Sequence, residues 1–562
     1  MISIKNIYKT LLLFTILFSV SCSDQLEELN QNPNAVDPST ANPNLLLPTV
    51  LAATAKDYSR LGFGTIGGVA QHMQEDGWYT GYNHYVWTPE NWGNWYGALR
   101  TNQLIIERSE ALGWKFHQGI ALTMRAFIFG TITDLWGDAP YTDALKGGLS
   151  SSPVTHPKYD SQETIYLGII EDLKKASALF AERNTTGLIA TYDVYYGGNA
   201  EKWHRFTNTL LLRYYMRLSE KLPQVAKQGI ESVYQSGVYI QNAADDAKHG
   251  WLGTDANNSW PTAGGFTSDD SGFRRRKPCA TLLDVLLVNN DPRTKVWFQP
   301  VYCKWVADPL LTYPVDQFIR RNGVLTNIVS LTDVQYRAEK AAGNTFTRHF
   351  NPNTFEVDVN TNEYVGVPAG LQTPDGYNYN PTPGQTVENQ HVSQLAPVFR
   401  DRTGNLLAMR LASAAETAFI LAEAAQKGWN VGNAATHYNR GVQESLNAWG
   451  VGNAYSAYIA EPGVAYNNTL ERIMQQKWIA GFAAATESWF DYRRTGLPAL
   501  QAGPASAVPH LPLKFIYGQN EINNNASNLE EALSKLQPYN ATQGENSQWS
   551  KPWLVQGTSK PW

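Results

Sequence analysis

Apolar residues recur three and four positions apart through two long parts of this chain and lose that rhythm between them. From Gly119 to Trp136 the positions Ile120, Met124, Phe127, Ile128, Ile132 and Leu135 line one helical face. Ile165, Ile169, Leu173, Ala176 and Phe180 repeat the pattern, with Asp160 or Ser161 placed to cap the helix start. Trp203, Phe206, Leu210, Tyr214 and Leu218 do so again, up to Pro223. Small residues such as Ala126 and Gly130 would let neighbouring helices approach closely. The pattern predicts a helical block over about 45–230. A second block over 406–500 carries Leu407, Leu411, Ala415, Ala418, Ala422 and Ala425 on one stripe, and Leu470, Ile473, Trp478 and Phe482 on another. Gly428 and Gly496 read as helix stops. Residues 231–405 are rich in Asn, Gly, Pro, Asp and Thr, which predicts long loops with a few helices and small strands. Residues 501–562 are again Asn- and Pro-rich. No strict internal repeat is visible.

The first 21 residues follow another logic. Lys5 and Lys9 precede an apolar run of ten residues, Leu11 to Val20, too short to cross a hydrocarbon core of about 30 Å. Ser19-Val20-Ser21 then leads into Cys22, a pattern similar to the bacterial lipoprotein processing site. Residues 1–21 are therefore expected to be a signal peptide, Cys22 the lipidated first residue, and 22–44 a tether. The acidic run around Asp24, Glu27 and Glu28 resembles a surface-export signal. Acyl chains at Cys22 would suffice for stable membrane attachment. Cleavage takes the formal charge from −5 to −7. The rest, 45–562, is expected to be one large unit.

Composition narrows the function. Charged residues make up 17%, against about 25% in ordinary soluble proteins. The chain carries 18 Trp, 29 Tyr and 20 Phe, too many aromatics for a disordered protein. A net negative charge argues against a nucleic-acid binder. The aromatic surplus is either core or a set of stacking platforms.

Two motifs invite over-reading. Gly62-Phe63-Gly64-Thr65-Ile66-Gly67 matches G-x-G-x-x-G, but the residues before it read as helix rather than strand. Asp358, Asn360 and Asn362 alternate like a calcium loop, yet Glu363 and Ala369 stand where that loop needs Gly and Glu. Metalloprotease, serine-hydrolase and P-loop signatures are missing, and no cofactor is expected. With Cys22 lipidated, Cys279 and Cys303 could pair or remain as two buried thiols.

Longer strings are more specific. Arg125-Ala126-Phe127 is followed by Asp134-Leu135-Trp136-Gly137-Asp138-Ala139-Pro140-Tyr141. Pro157-Lys158-Tyr159-Asp160, Asp193-Val194-Tyr195-Tyr196-Gly197-Gly198, Lys202-Trp203 and Asn208 to Arg213 come next. Asp291-Pro292-Arg293, Ala422-Glu423-Ala424, Gln476-Lys477-Trp478 and Arg493-Arg494-Thr495-Gly496 complete the series. In this order they resemble the SusD/RagB family of surface nutrient-binding lipoproteins of Bacteroidetes, over nearly the whole mature chain. Near the end the family commonly has an Arg followed by Tyr-Pro-x-x-Glu; here Lys514 precedes Tyr517-Gly518-Gln519-Asn520-Glu521. The resemblance implies a mostly α, SusD-like fold of tetratricopeptide-like helix pairs with a loop-rich, largely irregular second half packed on them. It implies binding without catalysis, of an oligosaccharide in many members and a peptide in others. The partner it implies is a SusC-like TonB-dependent outer-membrane transporter, and the location the extracellular face of the outer membrane. A surface hydrolase is the distant alternative, needing two carboxylates about 5–10 Å apart.

Most family motifs read as scaffold: Arg125 and Asp134 sit nine apart and should serve different neighbours, and Arg493 and Arg494 suit buried carboxylate or carbonyl partners. The ligand candidates are the aromatics clustered in loops. Trp78, Tyr82, Asn83, Tyr85 and Trp87, with His84, mix ring faces with hydrogen-bonding groups. A second cluster offers Trp260, Phe266, Phe273 and Arg274, and Tyr313 with Phe318 form a weaker third. Trp92, Trp95 and Tyr96 have helical spacing and read as core.

Overall fold

The computed structural model describes residues 39–147, 153–384, 386, 388–558 and 560. Residues 1–21, expected to be a signal peptide, Cys22 and most of the expected tether lie outside these residues. The fold is mostly helical, as the periodicity predicts. The principal helices are α1 (Pro43–Phe63), α2 (Gly93–Leu112), α3 (Lys115–Trp136), α4 (Gln162–Ala181), α5 (Ala200–Arg217) and α6 (Pro223–Ser236). After the loop-rich part come α7 (Ala414–Gln426), α8 (Ala434–Ala448), α9 (Leu470–Ala480) and α10 (Ala485–Thr495). Sequence neighbours pair: α1 with α2, α2 with α3, α3 with α4, α4 with α5, α5 with α6, and α7 with α8. Contacts between α5 and α7 join the two helical blocks.

Local chemistry sets the boundaries. Ser161 caps α4 by accepting the Thr164 N–H, and Asn42 caps α1, so the first helix starts two residues earlier than expected. Gly428 and Gly496 both take positive φ at helix ends. Pro223 opens α6 at its first turn rather than closing α5, which ends at Arg217; a proline lacks only an N–H that the first turn leaves unpaired anyway. Gly130 lets α3 meet α5, since a Cβ there would overlap the Tyr214 ring.

Family motifs cross-link the helices. Arg125 grips Asp172 with two bonds of 2.6 and 2.7 Å, tying α3 to α4. Asp134 instead meets Arg217, Arg493 and the Tyr166 hydroxyl. Arg213 pairs with Glu416 at 2.6 Å, Arg217 with Glu487 at 2.5 Å, and Lys477 with Asp491 at 2.7 Å. Arg494 holds Glu423 at 2.5 and 2.7 Å. The six bases Arg125, Arg213, Arg217, Lys477, Arg493 and Arg494 meet the six acids Asp134, Asp172, Glu416, Glu423, Glu487 and Asp491, so the charge balances. Burial works against the Asp491 charge, but Lys477, Arg494 and Arg217 outweigh it and hold that carboxyl well below the usual range. At the C-terminal end Tyr517 donates to the Asp138 carbonyl, and Glu521 accepts from Trp92 and Tyr159. The Tyr and Glu of the altered family string thus still brace the end of α3.

Short strands organise the loop-rich part. The strand β1 (Met73–Glu75) runs antiparallel to β2 (Arg276–Pro278), with Met73 opposite Pro278 and Glu75 opposite Arg276. Residues 304–307, 346–350, 320–321 and 324–325 form a four-stranded sheet in that spatial order. Cys279 and Cys303 are both free and buried.

Candidate functional site

The β1/β2 ladder brings together the two aromatic loops singled out in the sequence. Beyond Glu75 the pairing continues, because the Asp76 N–H donates to the Arg275 carbonyl at 3.1 Å. Gly77-Trp78 therefore runs beside the segment that ends in Arg274. A third loop joins them. The Asn389 N–H donates to Asp76 at 3.1 Å, and the Asn389 side chain donates to the Tyr377 carbonyl at 2.8 Å.

Beneath this junction lies a buried group of Asp76, Lys277 and Glu388. The Lys277 ammonium lies 3.3 Å from Asp76 and is hydrogen-bonded to Glu388. Burial pushes both carboxyls up, against the pull of Lys277. Hydrophobic patterning gave no hint of this group, since charged residues in a polar loop read as surface.

The loop after β1 is bent by two non-glycine residues in the left-handed region, Trp78 (φ 57°) and Tyr85 (φ 58°), which bracket the short helix Thr80–Asn83. Such conformations cost about 1–3 kcal/mol and persist only where surrounding contacts impose them. Asn83 supplies one: its side chain accepts the Glu75 N–H at 2.9 Å and donates to the Glu75 carbonyl at 2.8 Å. Gln548 supplies another by donating to the Tyr85 carbonyl at 2.9 Å. The outcome is that Trp78 stands 60% exposed. Beside it Tyr79 packs on His84 with ring centres 5.1 Å apart and donates to Asp375 at 3.4 Å. His84 Nε2 lies 2.8 Å from the Leu371 carbonyl and so carries its proton there. Asp375 opens the turn that leads to Tyr379, itself in the left-handed region and 39% exposed. Asp375 and Tyr379 were missed as site residues; Asp375-Gly376 read only as a turn.

The other candidates lie deeper. Tyr82 is buried on Gly67 and Gly68, where any Cβ would collide with it, and the Arg276 guanidinium covers its ring. The G-x-G-x-x-G string is thus a helix turn that admits Tyr82. Asn83 and Tyr85 are buried as described, and Trp87 is half-buried, edge-on to Trp489 and Phe515. Trp260 is 1% exposed and packs edge-on against Phe63 at 5.0 Å. The contacts of these side chains fix the loops, while Trp78 and Tyr379 are the rings that the loops leave exposed. Phe266 is half-buried under the Arg402 guanidinium, 4.4 Å from its ring centre, and Arg274 is buried. Trp92 and Trp95 are core, as their spacing predicts. Asn360 and Asn362 serve loop bonds: the Asn360 N–H donates to Asn378, and its side chain accepts the Asn362 N–H.

Taken together, paired helices carrying a loop platform with outward-facing rings define a helical binding scaffold. The profile of the SusD-like family described as starch-binding and associating with the outer membrane matches residues 33–306 and 346–517, and the chain belongs to this family. It is a SusD-like outer-membrane nutrient-binding protein, in a family of non-catalytic binding proteins that generally work with SusC-type partners. Among solved structures it is similar to a chitin-binding protein, at 23% identity and a TM-score of 0.68, covering 92% of this chain and 100% of the other. An outer membrane protein from Bacteroides vulgatus connected with nutrient binding matches at 24% identity and a TM-score of 0.66, with the same coverage. A SusD homologue from Bacteroides fragilis matches at 20% identity and 0.67, again over 92% and 100%. No curated protein shows significant sequence similarity to the chain.

Proposed function

We propose that this protein captures an oligosaccharide on the face formed by Trp78, Tyr79, Asp375 and Tyr379 and passes it to a SusC-like TonB-dependent transporter. The observation that carries this reading is the exposed Trp78, at positive φ in a loop tied down by Asn83 on Glu75 and by Gln548 on the Tyr85 carbonyl. A ring face fixed in this way stacks on the C–H face of a sugar, and such contact contributes without any charge on the ligand. The Asp375 carboxylate and the exposed amide of Gln372 lie within the same loop and can accept from and donate to sugar hydroxyls. Trp78 and Tyr379 sit on separate loops joined by the Tyr79–Asp375 bond, so an extended chain can span both.

Lipidation at Cys22 after removal of residues 1–21 would anchor the protein at the outer membrane, with the platform presented outside. Calorimetric titration with neutral and acidic oligosaccharides and with peptides tests the ligand class. Binding of peptides with glycans silent would replace the glycan reading by a peptide one. Radiolabelled palmitate incorporated by the parent chain and lost in Cys22→Ala tests the anchor; label retained by the variant would contradict it.

A further inference from the structure

Two buried acids share one ammonium where the loops of Trp78 and Tyr379 meet. The side chains of Asp76 and Lys277 are 0% exposed and that of Glu388 is 2% exposed. Each comes from a different segment: Lys277 from β2, Asp76 from the loop that leads to Trp78, and Glu388 from the loop that Asn389 ties to Tyr377. The surrounding groups treat the two acids unequally. Asp76 accepts the Asn389 N–H at 3.1 Å and also lies in the field of Arg274. Glu75 repels Asp76 from β1, but its own charge is covered by Arg275 at 3.3 Å and Arg276 at 2.6 Å. The attraction on Glu388 comes from Lys277, while Asp76 and Asp333 repel it. Tyr302 offers Glu388 no hydrogen bond, because its hydroxyl donates to Asp333 at 2.6 Å, and Arg337 is likewise bonded to Asp333, at 2.9 Å. Among the described residues, Oδ1 of Asp76 and Oε2 of Glu388 have no hydrogen-bond partner. Two carboxylates in a dry site with one shared ammonium retain a proton between them. These surroundings put it on Glu388, whose carboxyl burial pushes up to about 8.

We propose that Asp76, Lys277 and Glu388 form a proton-operated latch that holds the Trp78 loop to the Tyr379 loop; this holds whichever ligand class the platform takes. With the proton in place the three groups are one carboxylate, one ammonium and one neutral acid, so their charge balances. When the loops part, water reaches Glu388 and its carboxyl returns to an ordinary value near about 4.3. Between that value and about 8, opening therefore releases the proton. The closed latch is favoured at low pH and loses that advantage as pH rises toward about 8. Asn389 couples the event to the rings. Its N–H binds Asp76, two residues before Trp78, and its side chain binds the Tyr377 carbonyl, two residues before Tyr379.

Hydrogen exchange of the full mature protein tests the latch at the Asp76 and Asn389 amides, which donate to the Arg275 carbonyl and to Asp76. After correction for the chemical exchange rate, opening at these amides should become about tenfold more frequent per pH unit between about pH 5.5 and about pH 7.5, the slope for one released proton. Glu388→Gln has no proton to release there and should lose that slope. Opening that is flat with pH in the parent protein overturns the proposal. A slope that survives in Glu388→Gln overturns it too, because the proton then sits elsewhere. If Glu388→Gln does not fold, a carbon-13 NMR titration of the parent protein labelled at its glutamate carboxyl carbons decides. One resonance should titrate near pH 8; the absence of any titrating above about pH 6 overturns the proposal.

Discussion

The backbone N–H of Asp76 donates to the Arg275 carbonyl at 3.1 Å, one step past the β1/β2 ladder. That bond extends the ladder that sets the two aromatic loops side by side, and Trp78 stands exposed just beyond it. The side chain that holds this arrangement from below is Asn83, with its two bonds to Glu75.

Asn83→Ala should therefore destabilise the fold by about 1–3 kcal/mol, because it leaves a buried backbone N–H and carbonyl without partners. Hydrogen exchange at 75–86 should speed up, while the helices stay protected. Unchanged exchange in that segment would show that Asn83 does not fix the loop.

The pairing of Arg494 with Glu423 is buried on both sides. Glu423→Gln leaves a buried guanidinium short of its counter-charge and should cost about 3–5 kcal/mol, read by urea unfolding. A loss below about 1 kcal/mol would mean that the network tolerates its own break.

Lys514 adds a pH dependence of its own. Burial pushes its ammonium down to about 7, while the Tyr517 ring 4.4 Å away favours the charged form. An unfolded lysine titrates near about 10.4. Between those values the unfolded chain holds a proton that the folded chain lacks, so the folded state gains stability as pH rises from about 7 and none of that gain exists below it. Relative to Lys514→Met, the parent protein should gain on the order of 2 kcal/mol between pH 6 and pH 9. Parallel pH profiles for the two proteins would contradict this.

The two thiols give a simpler check. Burial pushes Cys279 up to about 11 and Cys303 up to about 12. Both should resist a thiol reagent at pH 8 in the native protein and react once it is unfolded. Loss of either reactive thiol under denaturing, non-reducing conditions would indicate a disulfide.

Much of the scaffold was legible because its signals are local. The spacing of Ile120 to Leu135, the Ser161 cap and the glycine at 496 each act within a few residues. The different partners of Arg125 and Asp134 also followed from their separation along one helix. The platform was only half legible. Composition marked the loops around 78–87 and 260–273, but could not tell Trp78 from Trp260, because exposure is set by residues far along the chain, such as Gln548 against the Trp78 loop and Phe399 against Trp260. Asp375 and Tyr379 carried no signal beyond a turn. The buried Lys277 was equally silent, since its acids, Asp76 and Glu388, come from loops far from it and from each other along the chain.

The central claim is that the exposed ring at Trp78 holds a glycan and the buried ring at Trp260 holds the fold. Calorimetric titration of an oligosaccharide bound by the parent protein, repeated with Trp78→Ala and Trp260→Ala alongside thermal unfolding, tests it most directly. Trp78→Ala should bind about tenfold or more weakly at unchanged stability, as for loss of a stacking ring. Trp260→Ala should lose about 3–5 kcal/mol of stability. Full affinity in Trp78→Ala would contradict the account.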